Sequence, residues 1–203
     1  MEIKVLPLGD IGVNCYLISG DNAAVVIDPG FYSETVLEFL NENVCKERLI
    51  LLTHSHFDHI GGAAQLRDKT GVKIAIGELE NEFLSDPSVN LSGLLGEPVK
   101  PFLADLLLKD GEEVTVGEFN FKVIHTPGHT SGSVSYLLGD ILFSGDTLFN
   151  CSIGRTDFPT GDYFVLLASI KKLYELDGGI RVLSGHGEAT TIEFEKMHNP
   201  FVR

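Results

Sequence analysis

Thr53-His54-Ser55-His56-Phe57-Asp58-His59-Ile60-Gly61-Gly62 is the stretch that decides how this chain is read. It places three of the seven histidines, and an aspartate, within six residues. It directly follows Leu49–Thr53, a short apolar run suited to a buried strand. A turn leaving a strand end directs alternate side chains into one space. His54 and His56 can then share one metal ion, while Asp58 and His59, on the next turn, can face a second. Imidazole suits zinc and iron, and a carboxylate adds negative charge. Gly61 and Gly62 let the backbone crowd close behind the ligands. A single histidine is usually an exposed or satisfied side chain. Three histidines and an aspartate packed behind a buried strand point to a metal centre instead.

The remaining ligands are expected at other strand ends. His129 follows Thr126-Pro127-Gly128, Asp146 follows Ser144-Gly145, and His186 follows Ser184-Gly185. Each comes after an apolar strand, at 119–125, 140–143 and 180–183, and each is preceded by a glycine. Such a glycine permits the sharp turn that aims a side chain inward. One such turn is unremarkable, but its recurrence at three strand ends is the signal.

Further from the motif, residues 2–8, 13–19 and 23–27 read as strands, the last stopped by Asp28-Pro29-Gly30. A helix is expected from Ser33, a good N-cap, to about Asn43. Ile60–Thr70 reads as a helix and Val72–Ile76 as a buried strand. Residues 78–110, broken by Asp86-Pro87, Glu97-Pro98 and Pro101, read as an irregular insert. It serves either as a cover for the site or as an ordinary connection. Residues 112–144 are rich in strands punctuated by glycines. In 161–176, Tyr163, Leu166, Leu167, Ile170, Leu173 and Tyr174 share one helical face. Ile180–Ser184 is a last buried strand, followed by a short helix. This order suggests two sheets packed together with helices outside, in one domain over 1–203.

The bulk composition agrees. Hydrophobic residues make up 43% and charged residues 22%, ordinary for a globular protein. The net charge of −14 argues against a nucleic-acid binder, which needs a concentrated basic surface. No apolar run approaches the roughly 20 residues of a membrane helix. Cys15, Cys45 and Cys151 are odd in number and widely spaced, which fits a reducing compartment. With no apolar signal core in MEIKVLPLGD, a cytoplasmic location is expected.

The pattern His-x-His-x-Asp-His, followed by single His, Asp and His residues, resembles the metallo-β-lactamase superfamily. The likeness runs from Asn14-Cys15-Tyr16-Leu17 and Val26-Ile27-Asp28-Pro29-Gly30 to His186. It implies an α/β fold, a four-layer αβ/βα sandwich with metals at one edge of the two sheets. It also implies that His54, His56 and His129 bind a first metal, that Asp58, His59 and His186 bind a second, and that Asp146 bridges both. Two divalent ions are therefore expected, zinc foremost, with iron or manganese also suited. Two cations about 3.5–4 Å apart can hold a hydroxide that attacks a polarised carbonyl. Asp58 is the candidate catalytic residue that orients it.

Asp146 at the bridging position, where the antibiotic-hydrolysing zinc enzymes are expected to carry cysteine, sets the chain apart from them. His56 sets it apart from flavodiiron proteins, and the lack of basic surface from the nucleases. His125-Thr126-Pro127-Gly128-His129-Thr130, Gly145-Asp146-Thr147-Leu148-Phe149, Ser152–Pro159 and Asn199-Pro200-Phe201 are similar to the short glyoxalase-II-like hydrolases. That implies a small-molecule thioester substrate such as S-lactoylglutathione. A thiolate leaves without help from a general acid. His186 lies 17 residues before the end of the sequence, so the C-terminal helical domain that glyoxalase II uses for glutathione is not expected, and glutathione specificity does not follow from the resemblance. The runner-up is a persulfide dioxygenase holding one iron on His54, His129 and Asp146; a lactonase and a non-enzymatic binding module follow.

Outside the ligand set, Asp28 either accepts a hydrogen bond from a ligand histidine or serves as a turn residue. Arg155 either grips a substrate anion or pairs with Asp157 or Asp162. Cys151 is a candidate wall of the site. His125 is read as structural and His198 as a surface residue.

Overall fold

Strands β1 (Glu2–Leu8), β2 (Val13–Ser19) and β3 (Ala23–Ile27) form an antiparallel meander. Helix α1 (Glu34–Glu42) then returns the chain to β4 (Glu47–Leu52), which runs parallel to β3. Two short helices, α2 (Phe57–Ile60) and α3 (Ala63–Thr70), lead to β5 (Lys73–Gly77). A 3₁₀ segment (Glu78–Ser85), α4 (Ser92–Leu95) and β6 (Leu106–Leu108) complete the first half. Its sheet runs β1-β2-β3-β4-β5-β6. The computed structural model describes residues 1–95 and 99–202, so the Glu97-Pro98 break expected within the insert lies outside the described residues.

The second half contains β7 (Glu113–Val116), β8 (Phe119–His125), β9 (Val134–Leu138) and β10 (Ile141–Gly145). A small hairpin of β11 (Leu148–Phe149) and β12 (Ser152–Ile153) follows. Then come α5 (Tyr163–Leu173), β13 (Arg181–Ser184), β14 (Thr190–Thr191) and α6 (Ile192–His198). The second sheet runs β14-β13-β10-β9-β8-β7.

Strand alternation explains the layering, because successive side chains point to opposite faces. Val25, Ile27, Leu49 and Leu51 meet Phe121, Val123, Tyr136 and Phe143 between the sheets. Their neighbours Val26, Ile50 and Leu52 point the other way, against Val36 and Leu40 of α1 and Leu66 of α3. On the far side, Ile124, Leu142 and Val182 lie under Leu166, Ile170 and Leu173 of α5 and Ile192 of α6. Three apolar interfaces separate four layers, so the fold is the αβ/βα sandwich. Each fully buried Leu or Ile contributes roughly 1.5–3 kcal/mol. Covered on both faces, β4 reads as an uninterrupted apolar run rather than an alternating one.

Several boundaries differ from the sequence reading. The helix expected to begin at Ile60 is two helices, and the first starts at Phe57, so Asp58 and His59 are themselves helical. They part at Gly61 and Gly62, where the loop 29–31 passes too close for a side chain: a Cβ at Gly62 would lie 2.5 Å from the Phe31 carbonyl. Ser33 occupies the α1 N-cap, but its hydroxyl makes no capping bond. Asp162, by contrast, caps α5 by accepting from the amides of Phe164 and Val165. On α5 the apolar face is narrower than read: Tyr163 is exposed. The insert contributes β6 as an edge strand, too short at three residues to stand out in the sequence. It flanks the metal motif, with the Asn90 carbonyl accepting the Phe57 amide.

Candidate metal centre

Seven side chains from five strand ends and turns converge. His54 and His56 leave β4, Asp58 and His59 sit on α2, and His129, Asp146 and His186 follow β8, β10 and β13. The ligand-type atoms of His54, His56 and His129 lie within 4.8 Å of one another, and so do those of Asp58, His59 and His186. Asp146 stands between the two groups. Its Oδ1 is 3.3 Å from His59 Nε2, and its Oδ2 is 3.6 Å from His129 Nε2 and 3.7 Å from His186 Nε2. Asp58 Oδ2 is 3.2 Å from His186 Nε2. All seven sequence-derived candidates are therefore brought together.

The surroundings prepare three of the imidazoles as lone-pair donors. His59 Nδ1 lies 2.9 Å from Asp28 Oδ2, a carboxylate that can only accept. His129 Nδ1 lies 2.8 Å from the Arg155 carbonyl. His54 Nδ1 lies 3.1 Å from the Thr53 hydroxyl, whose own proton goes to Asp28 Oδ2 at 2.6 Å. Each bond puts a ring proton on Nδ1, so that Nε2 is the nitrogen left to turn a lone pair to a cation. Asp28 thus takes the hydrogen-bonding role of its two expected alternatives.

His54 Nε2, His56 Nε2, His59 Nε2 and Asp146 Oδ1 are buried without a hydrogen-bond partner. Buried polar atoms are normally paired, and each one left bare costs about 1–3 kcal/mol. Three of them sit on His54, His59 and Asp146, whose ligand-type atoms lie within 4.8 Å of one another, while His56 turns its Nδ1 to within 2.8 Å of His129 Nε2; this donor set fits bound cations. Imidazole nitrogen and carboxylate oxygen suit zinc, iron or manganese.

The electrostatics divide the two groups. Burial, with neighbouring imidazoles, holds His54 well below the usual imidazole range and His56 down to about 3. Burial pushes His59 the same way, but the carboxylates of Asp146, Asp28 and Asp58 outweigh it and raise His59 well above that range. His186 is likewise raised against burial by its bond to Asp58 and the charge of Asp146. Asp58 and Asp146 are both lowered, since the histidine charges overcome the cost of burying a carboxylate.

Two glycines admit this packing. Gly145 has φ +50°, and a Cβ there would sit 2.5 Å from the Thr53 hydroxyl. A Cβ at Gly185 would collide with Asp146 Oδ1 and come 2.6 Å from the His59 ring.

The centre opens on the side of His186 and Asp58, whose side chains are 25% and 12% exposed. Arg155 lies on the rim. Its guanidinium is paired with Asp157 at 2.7 and 2.6 Å and stacks 3.9 Å above the Phe158 ring, which meets His56 edge-on. A cleft of about 540 Å³ lies behind the motif, between Phe31, Tyr32, Phe57 and Lys100, and no ligand side chain lines it. His125 bonds the Ser131 carbonyl and His198 stacks on Phe194 at the surface, both outside the centre. Cys151 is exposed.

Two buried carboxylates were not found from the sequence. Glu195 accepts from the Cys151 amide, the Thr190 hydroxyl and the Asn199 side chain, tying α6 to the loop after Asp146. Glu80 joins two ligand loops. Both stand in charged stretches that read as solvated surface; all the Glu80 donors are distant in sequence, as is the Cys151 amide that Glu195 accepts from.

Residues 8–186 match the Metallo-beta-lactamase superfamily. The chain belongs to this superfamily. It is 38% identical over 208 residues to "Hydroxyacylglutathione hydrolase GloC" of Haemophilus influenzae, covering 100% of this chain and 98% of that protein. Among solved structures, BLEG-1 B3 metallo-beta-lactamase superposes with a TM-score of 0.91 at 43% identity, over 99% of both chains. TTHA1623 in a di-iron-bound form gives 0.85 at 35% identity, over 98% of this chain and 100% of that one. No described helix of this superfamily member is long and apolar enough to cross a membrane.

Proposed function

We propose that the chain is a binuclear metal-dependent hydrolase that cleaves a small-molecule thioester of the hydroxyacylglutathione type. His54, His56 and His129 would hold one divalent cation, Asp58, His59 and His186 the other, and Asp146 would bridge them. The observation that carries this reading is the pair of complete donor groups joined at Asp146. The full-length similarity to a protein named hydroxyacylglutathione hydrolase supports the substrate class. Zinc is the first candidate metal, and a neighbour described as di-iron-bound keeps iron beside it.

When bound, such cations acidify water and polarise a carbonyl oxygen. The protein's own groups do the rest. Asp58, on the open side, would accept a proton from water and orient the water toward an acyl carbon. Asp28, Thr53 and the Arg155 carbonyl keep the imidazoles in one tautomer, so the centre needs no reorganisation. A thiolate leaving group needs no proton donor. The Arg155 guanidinium, on the rim, would take a substrate carboxylate in exchange for Asp157. Three free cysteines accord with a reducing, cytoplasmic setting.

A second reading is β-lactam hydrolysis, favoured by the 43% identity to BLEG-1. The deciding experiment is turnover of S-lactoylglutathione by protein loaded separately with zinc, iron or manganese, with Asp58→Asn as control. A chromogenic cephalosporin and oxygen uptake on glutathione persulfide run in parallel. Thioester turnover that the variant loses is the expected result. Turnover of the cephalosporin alone, or oxygen uptake by a one-iron form, would replace the thioesterase reading.

A further inference from the structure

Glu80 is a fully buried carboxylate outside the seven candidate ligands, in the 3₁₀ segment that leaves β5. Its Oε2 accepts the Ser55 amide at 2.8 Å, between His54 and His56. Its Oε1 accepts the Thr130 hydroxyl at 2.7 Å and the Gly132 amide at 2.9 Å, in the loop that carries His129. The first loop leaves one sheet and the second leaves the other, so the carboxylate spans the sandwich edge directly behind the three-histidine group. Gly132 is pressed against it, for a Cβ there would lie 2.7 Å from Oε1.

No Lys or Arg pairs with Glu80 among the described residues. An unpaired buried carboxylate costs several kcal/mol unless donors surround it. Three donors do so here, and two of them are backbone amides that can only donate. A neutral side chain of the same shape fails this geometry. Glutamine has one acceptor oxygen, and whichever way its amide is turned, its NH₂ faces a backbone N–H. Only a carboxylate can accept from both loops at once. The structure therefore uses a costly group where a cheaper one cannot bridge the two ligand loops.

We propose that Glu80 is a positioning residue for the three-histidine half of the centre. It clamps the His54–His56 turn to the His129 loop and so sets the spacing at which the three imidazoles meet a cation. This rests on the reading of those histidines as metal ligands. The second group, Asp58, His59 and His186, is held instead by α2, Asp28 and β13, and the clamp does not touch it.

The test is cobalt titration of wild type, Glu80→Gln and Thr130→Val, with dissociation constants from chelator competition. Paramagnetically shifted imidazole N–H resonances identify which histidines are bound. Outer hydrogen-bond partners of ligands typically contribute 10–100-fold in metal affinity. Glu80→Gln is expected to weaken the three-histidine site by about 10–100-fold and to leave the other within about threefold. Thr130→Val, which removes one of three bonds, shifts the same site in the same direction by less. A wild type that binds no cation pair would remove the ligand reading itself. Two sites in wild type, with both affinities unchanged or equally reduced in folded Glu80→Gln, would overturn the clamp alone. If Glu80→Gln does not fold, Thr130→Val decides: selective weakening of the three-histidine site supports the clamp, and anything else overturns it.

Discussion

The Asp28 carboxylate ties His59 to the turn that carries His54: Oδ2 accepts from His59 Nδ1 at 2.9 Å, and Oδ1 accepts the Thr53 amide at 2.8 Å. Asp28 reaches this position with φ +49°, a left-handed conformation that aspartate tolerates better than most residues.

Asp28→Asn is accordingly a metal-binding lesion. An asparagine keeps one acceptor and presents an NH₂ to His59 or to the Thr53 amide. If it faces His59, the ring turns to the wrong tautomer and Nε2 ceases to be a lone-pair donor. The expected loss is about 10–100-fold in affinity at the Asp58–His59–His186 group. The fold should lose about 1–3 kcal/mol from the disturbed buried bonds. Chelator competition and urea unfolding of the metal-free protein measure the two separately. Unchanged affinity would remove Asp28 from the centre.

The seven candidate ligands were legible in the sequence because their signal is local. His54 to His59 crowd into six residues, and each later ligand follows a glycine at an apolar strand end. The layering was legible because β3 and β4 are uninterrupted apolar runs, the mark of strands covered on both faces, whereas which residues face which layer is not written in such runs. Glu80 and Glu195 were not legible, because nothing near them in the chain marks them. Glu80 lies in Glu78-Leu79-Glu80-Asn81-Glu82, which reads as a solvated face, and its donors lie 25 to 52 residues away. The β6 edge was hidden by its three-residue length. The start of α2 was hidden because metal-ligand spacing and a helical turn place Asp58 and His59 alike.

The two halves of the centre should take up metal with different proton counts. His54 and His56 are held low by burial and by neighbouring imidazoles, His56 near about 3, and are already neutral at pH 7. His59 and His186 are raised despite burial by Asp146, Asp28 and Asp58, and keep protons that an ordinary imidazole would shed. The sign follows. In the metal-free protein the His59 proton stabilises the fold fully below about pH 6.5, and that contribution is lost as pH rises through the raised value. A cation at Asp58–His59–His186 must displace it, so affinity there falls as pH drops, while His54 and His56 release nothing. Calorimetric titration in buffers of different ionisation heat reads the released protons for each binding step. Equal release at both steps would contradict the split.

Gly185→Ala should damage the centre more than the fold. Gly185 has no left-handed φ to lose, so the substitution strains no backbone, but its methyl group would strike Asp146 Oδ1 and the His59 ring. Those atoms are the proposed bridge and one proposed ligand of the second group. Relief requires both side chains to shift by a fraction of an ångström to more than one, enough to spoil a coordination shell. Overpacking of this kind costs about 1–3 kcal/mol in stability. Metal content after dialysis, set beside the thermal midpoint of the metal-free form, distinguishes the effects. Full metal content with a lowered midpoint would show that the centre absorbs the clash.

Arg155 separates two roles within one residue. Its carbonyl fixes the His129 tautomer at 2.8 Å, and any side chain leaves that carbonyl in place. Its guanidinium is exposed, paired with Asp157 and stacked on Phe158. Surface ion pairs of this kind contribute about 0–1 kcal/mol, so Asp157 is a partner that a substrate carboxylate can displace. Arg155→Ala is therefore expected to leave metal content and kcat within about twofold and to raise KM for an anionic thioester about 10–100-fold, the value of one charge-assisted contact. Arg155→Lys, which keeps the charge without the planar fork, should fall between. Steady-state kinetics against S-lactoylglutathione and an uncharged thioester make the comparison. If KM rises equally for both substrates, the guanidinium acts by ordering the 155–158 loop and not by binding the anion.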